Sequence, residues 1–413
     1  MGRRILICVP FLVLVITFSL GNGAIYHGVL ESVVALNFGY QMTPADSYTP
    51  HGAITIHNDA AFSYLGWPGK GIPEDPFVIE GLRITTAVEE CITITDTTVY
   101  FEIRNCQITV EFGGSTYDGI LFENIVHGTV RNCIIDMRGP GISLENSSNC
   151  IFMDNTVNDN YVGIRLMESN NCTLTRNTVC NSYQGGIYLT KSNNCILIDN
   201  TLTSNYGGLN LQESNNCTLE QNIVTSDTAT GFYISDSTNC TLALCTASGN
   251  SNSGFTLPYS SNCYLTNNSA YENKFDGFTL HGSTNCTLIH NNATSNSYYG
   301  VRLYPESEDN TIFLNRLGSN GEGTARDDGN SNVWDDGVSL GNYWKDYDGT
   351  GWYHVLGSAH SIDHYPFTWN PMTNTDNTID GDADTMLFIA LSGLGIATLT
   401  IGVVFFWRKR GVQ

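Results

Sequence analysis

Across 413 residues the chain carries a net charge of −22, although only 14% of its residues are charged. An acidic balance without a basic stripe excludes nucleic acid as a partner, because nothing would neutralise the phosphates. The 13 cysteines do not fix a redox compartment, since most of them belong to a repeat.

Residues 1–21 read as a signal peptide. Arg3 and Arg4 precede the apolar stretch Ile5–Leu20, and Ser19-Leu20-Gly21 offers a small-residue cleavage zone. That stretch is short for a membrane span. Residues 22–76 read as an N-terminal cap of turns and short strands, with Gly66-Trp67-Pro68-Gly69-Lys70-Gly71 and Glu74-Asp75-Pro76 as its turn signals. A solenoid needs such a cap because an open sheet edge recruits other chains.

Residues 77–334 repeat. Cys150, Cys172, Cys195, Cys217, Cys240, Cys263 and Cys286 recur every 22 or 23 residues. Gly163, Gly186, Gly208, Gly231, Gly254, Gly277 and Gly300 keep the same period, each followed three residues later by Leu, Ile or Leu-like apolar positions. A serine column (Ser169, Ser192, Ser214, Ser237, Ser260, Ser283) and an asparagine column (Asn155, Asn177, Asn200, Asn222, Asn268, Asn291, Asn315) run beside them. Within one unit apolar and polar residues alternate over three to five positions, which is a strand period. Short strands at this spacing predict a parallel β-helix of roughly eleven or twelve coils, each about 4.8 Å above the last.

The cysteine ladder reads as structural. Stacked inward thiols fill space like small apolar residues, and Asn310 and Asn332 continue the column, which a metal site would not tolerate. Disulfides are the alternative, because stacked Cα atoms lie within bridging range. Two columns near the glycine could bind sugars. One, two positions before it, holds Tyr161, Tyr206, Phe275 and Tyr298. The other, two after it, holds Arg165, Tyr188, Asn210, Tyr233, Thr256, Thr279 and Arg302. Rings there can stack on sugar faces while Asn, Thr and Arg bond the hydroxyls. The plainer alternative is that these rings only cover the coil, since strands favour tyrosine.

Residues 335–369 form a Trp/Tyr-rich C-terminal cap. It contains His354, His360 and His364, with Asp346 and Asp348 in a loop that lacks the later acidic ligands of a calcium site. No cofactor is expected, and a divalent cation on these residues is the alternative. Residues 370–385 read as a polar linker. Met386–Trp407 is uncharged and long enough to cross a bilayer, and Arg408-Lys409-Arg410 in the tail 408–413 would hold that end in the cytoplasm. The expectation is a single-pass cell-membrane protein with an extracellular ectodomain. Seven N-x-S/T sequons (Asn146, Asn171, Asn216, Asn239, Asn267, Asn285, Asn292) suit export, with the N-C-T asparagines expected to lie buried in turns.

The repeat S-N-N-C-T-L-x-x-N resembles the right-handed β-helix repeat of NosD-like proteins and of the wider carbohydrate-binding and sugar-hydrolase group. Gly66–Gly81, with Tyr100–Cys106, is similar to the start of many archaeal surface proteins of this kind, and Asn332–Tyr347 is similar to their usual ending. The resemblance implies an all-β, right-handed parallel β-helix of three-strand coils, closed by two caps and followed by the C-terminal membrane helix. The same scaffold hosts enzymes, binders and metal accessories. A non-catalytic surface module with a polysaccharide or envelope-glycan ligand is the first reading. A polysaccharide hydrolase or lyase is the second, although paired carboxylates are not evident in the repeats and their two lysines, Lys191 and Lys274, neighbour no acidic cluster. A copper accessory protein is the third.

Overall fold

The computed structural model describes residues 48–110, 116–137 and 139–368. The expected signal peptide 1–21, the linker, the span Met386–Trp407 and the tail 408–413 lie outside the described residues. Among the described residues no helix is long and apolar enough to cross a membrane.

Three parallel sheets of 14, 12 and 11 strands wind about one axis, each strand pairing with its counterpart one coil on. The result is a right-handed parallel β-helix of about twelve coils. Register is unbroken: Ile142 faces Ile164, which faces Ile187, then Leu209 and Phe232. In a strand such as Leu209–Gln212 the two leucines are buried and Asn210 faces outward, as a two-residue period requires. Phe232, Phe255 and Phe278 stack inside at centroid distances of 4.6 and 4.8 Å, matching the coil spacing.

Polar side chains close the turns in hydrogen-bonded ladders, although Ser182 Oγ and Asp227 Oδ2 are buried without a partner. Asn177 donates its N–H and its side-chain amide to Asn200 Oδ1, both at 3.0 Å, while its Nδ2 also reaches Phe152 O at 2.9 Å. The serine column repeats the idea, with Ser169 N–H donating to Ser192 Oγ at 3.0 Å. A third ladder runs through Asn160, Ser182, Asn205, Asp227, Asn250, Asn273, Asn296 and Asn320. Fully enclosed amides are tolerable here because each donor and acceptor meets a partner.

One outward asparagine per turn adopts φ between 53° and 59°, including Asn171, Asn216, Asn239 and Asn285 of the N-C-T sequences. Asparagine tolerates the left-handed region better than other residues with a side chain. These four side chains are exposed, so the expectation that they are enclosed fails. The residue that turns inward is the following cysteine.

Each end of the core is plugged. The short helix Asp59–Tyr64 places Phe62 against Phe77 and Phe101, at 4.9 and 5.3 Å. At the far end two indoles are buried, and each donates to an enclosed carboxylate. Trp334 Nε1 bonds Asp327 at 2.9 Å and Trp344 Nε1 bonds Asp363 at 2.8 Å. The same carboxylates take the last amides of two ladders, Asn332 Nδ2 on Asp327 at 3.0 Å and Asn342 N–H on Asp363 at 2.7 Å.

Candidate binding face

The outward side of the 12-stranded sheet collects the chemistry. Ser143, Arg165, Tyr188, Asn210, Tyr233, Thr256, Thr279, Arg302 and Arg326 lie in direct register along it. The column containing Arg165, Tyr188, Tyr233 and Arg302 is therefore one line on the protein surface.

The other expected column divides. Backbone N–H groups of Tyr183, Tyr206 and Thr228 bond the carbonyls of Asn160, Ser182 and Asn205. Tyr161, Tyr183 and Tyr206 thus follow the third ladder by one residue, on three successive coils. Phe275 and Tyr298 follow it by two, and their rings stack at 4.5 Å. Coils that end at Gly163 and Gly208 are one residue shorter before the glycine, so counting back from it merged two columns. Tyr183, 65% exposed, was missed for the same reason. Tyr188 lies half-buried beside this trio, its hydroxyl donating to Gln184 O at 3.1 Å. Between Tyr206 and Phe275 lie three coil steps, about 14 Å.

Charge on the face is mostly internally compensated. Arg165 pairs with Glu145 at 3.0 Å and approaches Asp118 at 3.9 Å. Burial pushes the Asp118 carboxyl up to about 6, against the opposing pull of Ser143 and Arg165. Arg326 makes two bonds to Asp328, at 2.6 and 3.1 Å. Arg302 instead lies over the rings of Tyr304 and Tyr299, at 4.2 and 5.5 Å.

Beside Arg302 is a cleft of about 370 Å³ lined by Tyr233, Thr256, Phe275, Thr279, His281 and Tyr304, with Asp276 at its floor. The Asp276 carboxylate accepts from Tyr299 N–H at 2.9 Å and from Thr279 Oγ at 3.3 Å. Burial raises its proton affinity, and the nearby Arg302 charge opposes that. The His281 ring sits between Tyr259 and Tyr304, at 5.3 and 5.4 Å. A hollow of about 410 Å³ lies on a turn lined by Asn146, Ser148, Glu168, Asn170 and Lys191. It has no ring to stack on and its two charges are of opposite sign, so it offers no sugar platform.

The residues considered for a metal are not brought together. His354 and His360 are exposed, and His364 Nδ1 bonds Asp335 at 2.8 Å. Asp346 accepts from the Tyr353 hydroxyl at 3.0 Å, and Asp348 accepts from Thr350 N–H at 2.9 Å. The ladder cysteines are buried and free of disulfides, and their thiols donate to backbone carbonyls, as Cys217 does to Ser192 O at 3.4 Å. Hydrogen bonds donated to the preceding thiols, and then burial, push Cys172, Cys195 and Cys217 up to about 12. A metal ligand must be thiolate. Among the described residues no group of three or more His, Cys, Asp or Glu side chains is placed to hold a metal ion.

Three sheets, stacked amide ladders and one chemically varied outer face define a parallel β-helix protein. The chain belongs to the family described as periplasmic copper-binding protein (NosD), whose family model matches residues 78–242 and 199–349. No curated protein matches it in sequence. In fold it is similar to the A-module of the Azotobacter vinelandii mannuronan C-5 epimerase AlgE6, with 15% identity, a TM-score of 0.56, and 78% of this chain and 90% of that chain covered. It is also similar to the periplasmic alginate epimerase AlgG, with 14% identity, a TM-score of 0.47 and coverage of 78% and 86%. At such identities the likeness is one of fold.

One expectation changes. The family is described as periplasmic, which overturns the placement in the cell membrane with an extracellular ectodomain. The family description also names copper, but the described thiols are buried inside the coils and the described histidines are dispersed. These residues do not fit a copper ion.

Proposed function

We propose that the protein is a carbohydrate-binding β-helix that holds an extended polysaccharide along the outward face of the 12-stranded sheet. The observation that carries this reading is the cleft at Tyr233, Phe275, Thr279 and Tyr304, which combines ring faces with hydroxyls. The tyrosine trio at Tyr161, Tyr183 and Tyr206, about 14 Å further along the same side, gives a polymer a second place to stack. The carbohydrate-directed names of proteins with this fold are consistent with it.

Binding is favoured over catalysis because Asp276 is the only carboxylate lining the cleft among the described residues, and both its oxygens are engaged. A glycosidase needs two carboxyl groups flanking one bond. The competing reading, a polysaccharide hydrolase or lyase, draws on the placement of His281 between two tyrosines. A glycan array followed by calorimetry tests the proposal. Replacing Tyr206 and Tyr233 together with alanine should weaken the best ligand by about ten-fold or more. Tyr271→Ala, on another sheet, should leave affinity unchanged. Equal affinity in the double variant, or release of cleaved product by the wild type, refutes the binding-module reading.

A further inference from the structure

The column on the outward face carries three arginines, and they are not equivalent. Arg165 and Arg326 each have a carboxylate within 3.0 Å. Arg302 forms no ion pair among the described residues, and its Nε is buried without a hydrogen-bond partner. Two tyrosine rings hold the guanidinium in place, so its orientation is set before any ligand arrives. Asp276 is the acid that faces it. That carboxylate is enclosed beneath the surface and is already taken by Tyr299 and Thr279. Arg302 is half-buried and lies over Tyr304, which lines the cleft with Phe275, Thr279 and His281.

We infer that Arg302 defines an acidic-sugar subsite: the polysaccharide carries a carboxylate at this position, as a hexuronate unit does. A planar guanidinium offers two parallel N–H donors that match a carboxylate. The ring of the same sugar would rest on the face of Phe275 turned away from Tyr298, with which it stacks at 4.5 Å. In a protein of net charge −22 a diffuse field would repel an acidic polymer, so recognition must come from such a local cation.

This inference rests on the polysaccharide reading, and one experiment separates the two. Oligomers of galacturonate, mannuronate and glucuronate would be titrated against the whole protein, each beside its carboxyl-reduced neutral counterpart. The expected result is at least one acidic oligomer bound about ten-fold or more tighter than its neutral partner. That preference should vanish in Arg302→Ala, survive in part in Arg302→Lys, and shrink with added salt, while both variants keep the wild-type circular dichroism. Neutral oligomers bound as well as acidic ones, or a preference that persists in Arg302→Ala, overturns the acidic subsite and leaves polysaccharide binding standing. Failure of every oligomer and every array glycan to bind overturns both.

Discussion

Asp227 sits where the third ladder otherwise uses an amide or a serine, and this makes one coil sensitive to pH. Its Oδ1 accepts from Asn205 N–H at 2.6 Å, and its own N–H donates to Asn250 Oδ1 at 3.1 Å. The neighbouring rungs send Nδ2 to a backbone carbonyl, Asn205 to Val179 O and Asn250 to Val224 O. Leu202 lies between those two valines in register, so its carbonyl is the counterpart for Asp227. Asp227 Oδ2 is buried without a partner, and an ionised oxygen there would face only another acceptor. Burial pushes this carboxyl up to about 7, and the bonds from Asn205 only partly oppose it. Between about pH 4 and about pH 7 the native state keeps a proton that the unfolded chain releases, so stability falls as pH rises through that window. Moving a carboxyl from about 4 to about 7 corresponds to at most about 4 kcal/mol. Asp227→Asn restores the donor and removes the titration. Urea unfolding across the window should show the variant nearly equal to wild type at about pH 4 and more stable by up to about 4 kcal/mol at about pH 8. Parallel pH profiles for the two proteins would refute the assignment of a neutral acid to this rung.

Cys217→Ala should cost about 1–2 kcal/mol in urea unfolding and leave glycan binding unchanged, since the thiol only fills the coil and donates weakly to Ser192 and Asn215 carbonyls. Asp363→Ala removes the acceptor for Asn342 N–H and the Trp344 indole, and should cost about 3 kcal/mol with a change in tryptophan emission. An unaltered spectrum and midpoint in that variant would show the C-terminal plug to be dispensable.

The period, the sheet type and the cysteine, serine and first asparagine columns were legible because stacking puts the same residue type at the same depth in every coil. Cys106, Cys133 and Cys245 show where that logic thins. They occupy rungs of the asparagine ladder, with Cys133 N–H donating to Asn155 Oδ1 and Cys245 N–H to Asn268 Oδ1, so thiol and amide interchange within one column. The third ladder escaped notice because Asn, Ser and Asp alternate in it and its offset from the glycine varies by one residue. The same slip joined Tyr161 and Tyr206 to Phe275 and Tyr298 and hid Tyr183. The helix Asp59–Tyr64 is too short to display a helical period; its signal was Asn58, whose side chain accepts from Ala61 N–H at 3.0 Å. Which arginine lacks a partner could not be read at all, because it depends on acids brought near by neighbouring coils.

The two carboxylates that receive the last ladder amides have a consequence for how such a protein changes length. An amide rung both accepts and donates, so it hands the same pattern to the next coil and contains no instruction to stop. The carboxylates of Asp327 and Asp363 only accept in the contacts they make, and they therefore end the series chemically as well as sterically. Punctuation is separate from text in this architecture. Whole coils inserted or deleted among residues 141–300 would meet identical neighbours above and below, and the terminator would still fit. The length of the outer face can thus grow or shrink by one coil at a time without any redesign of its end.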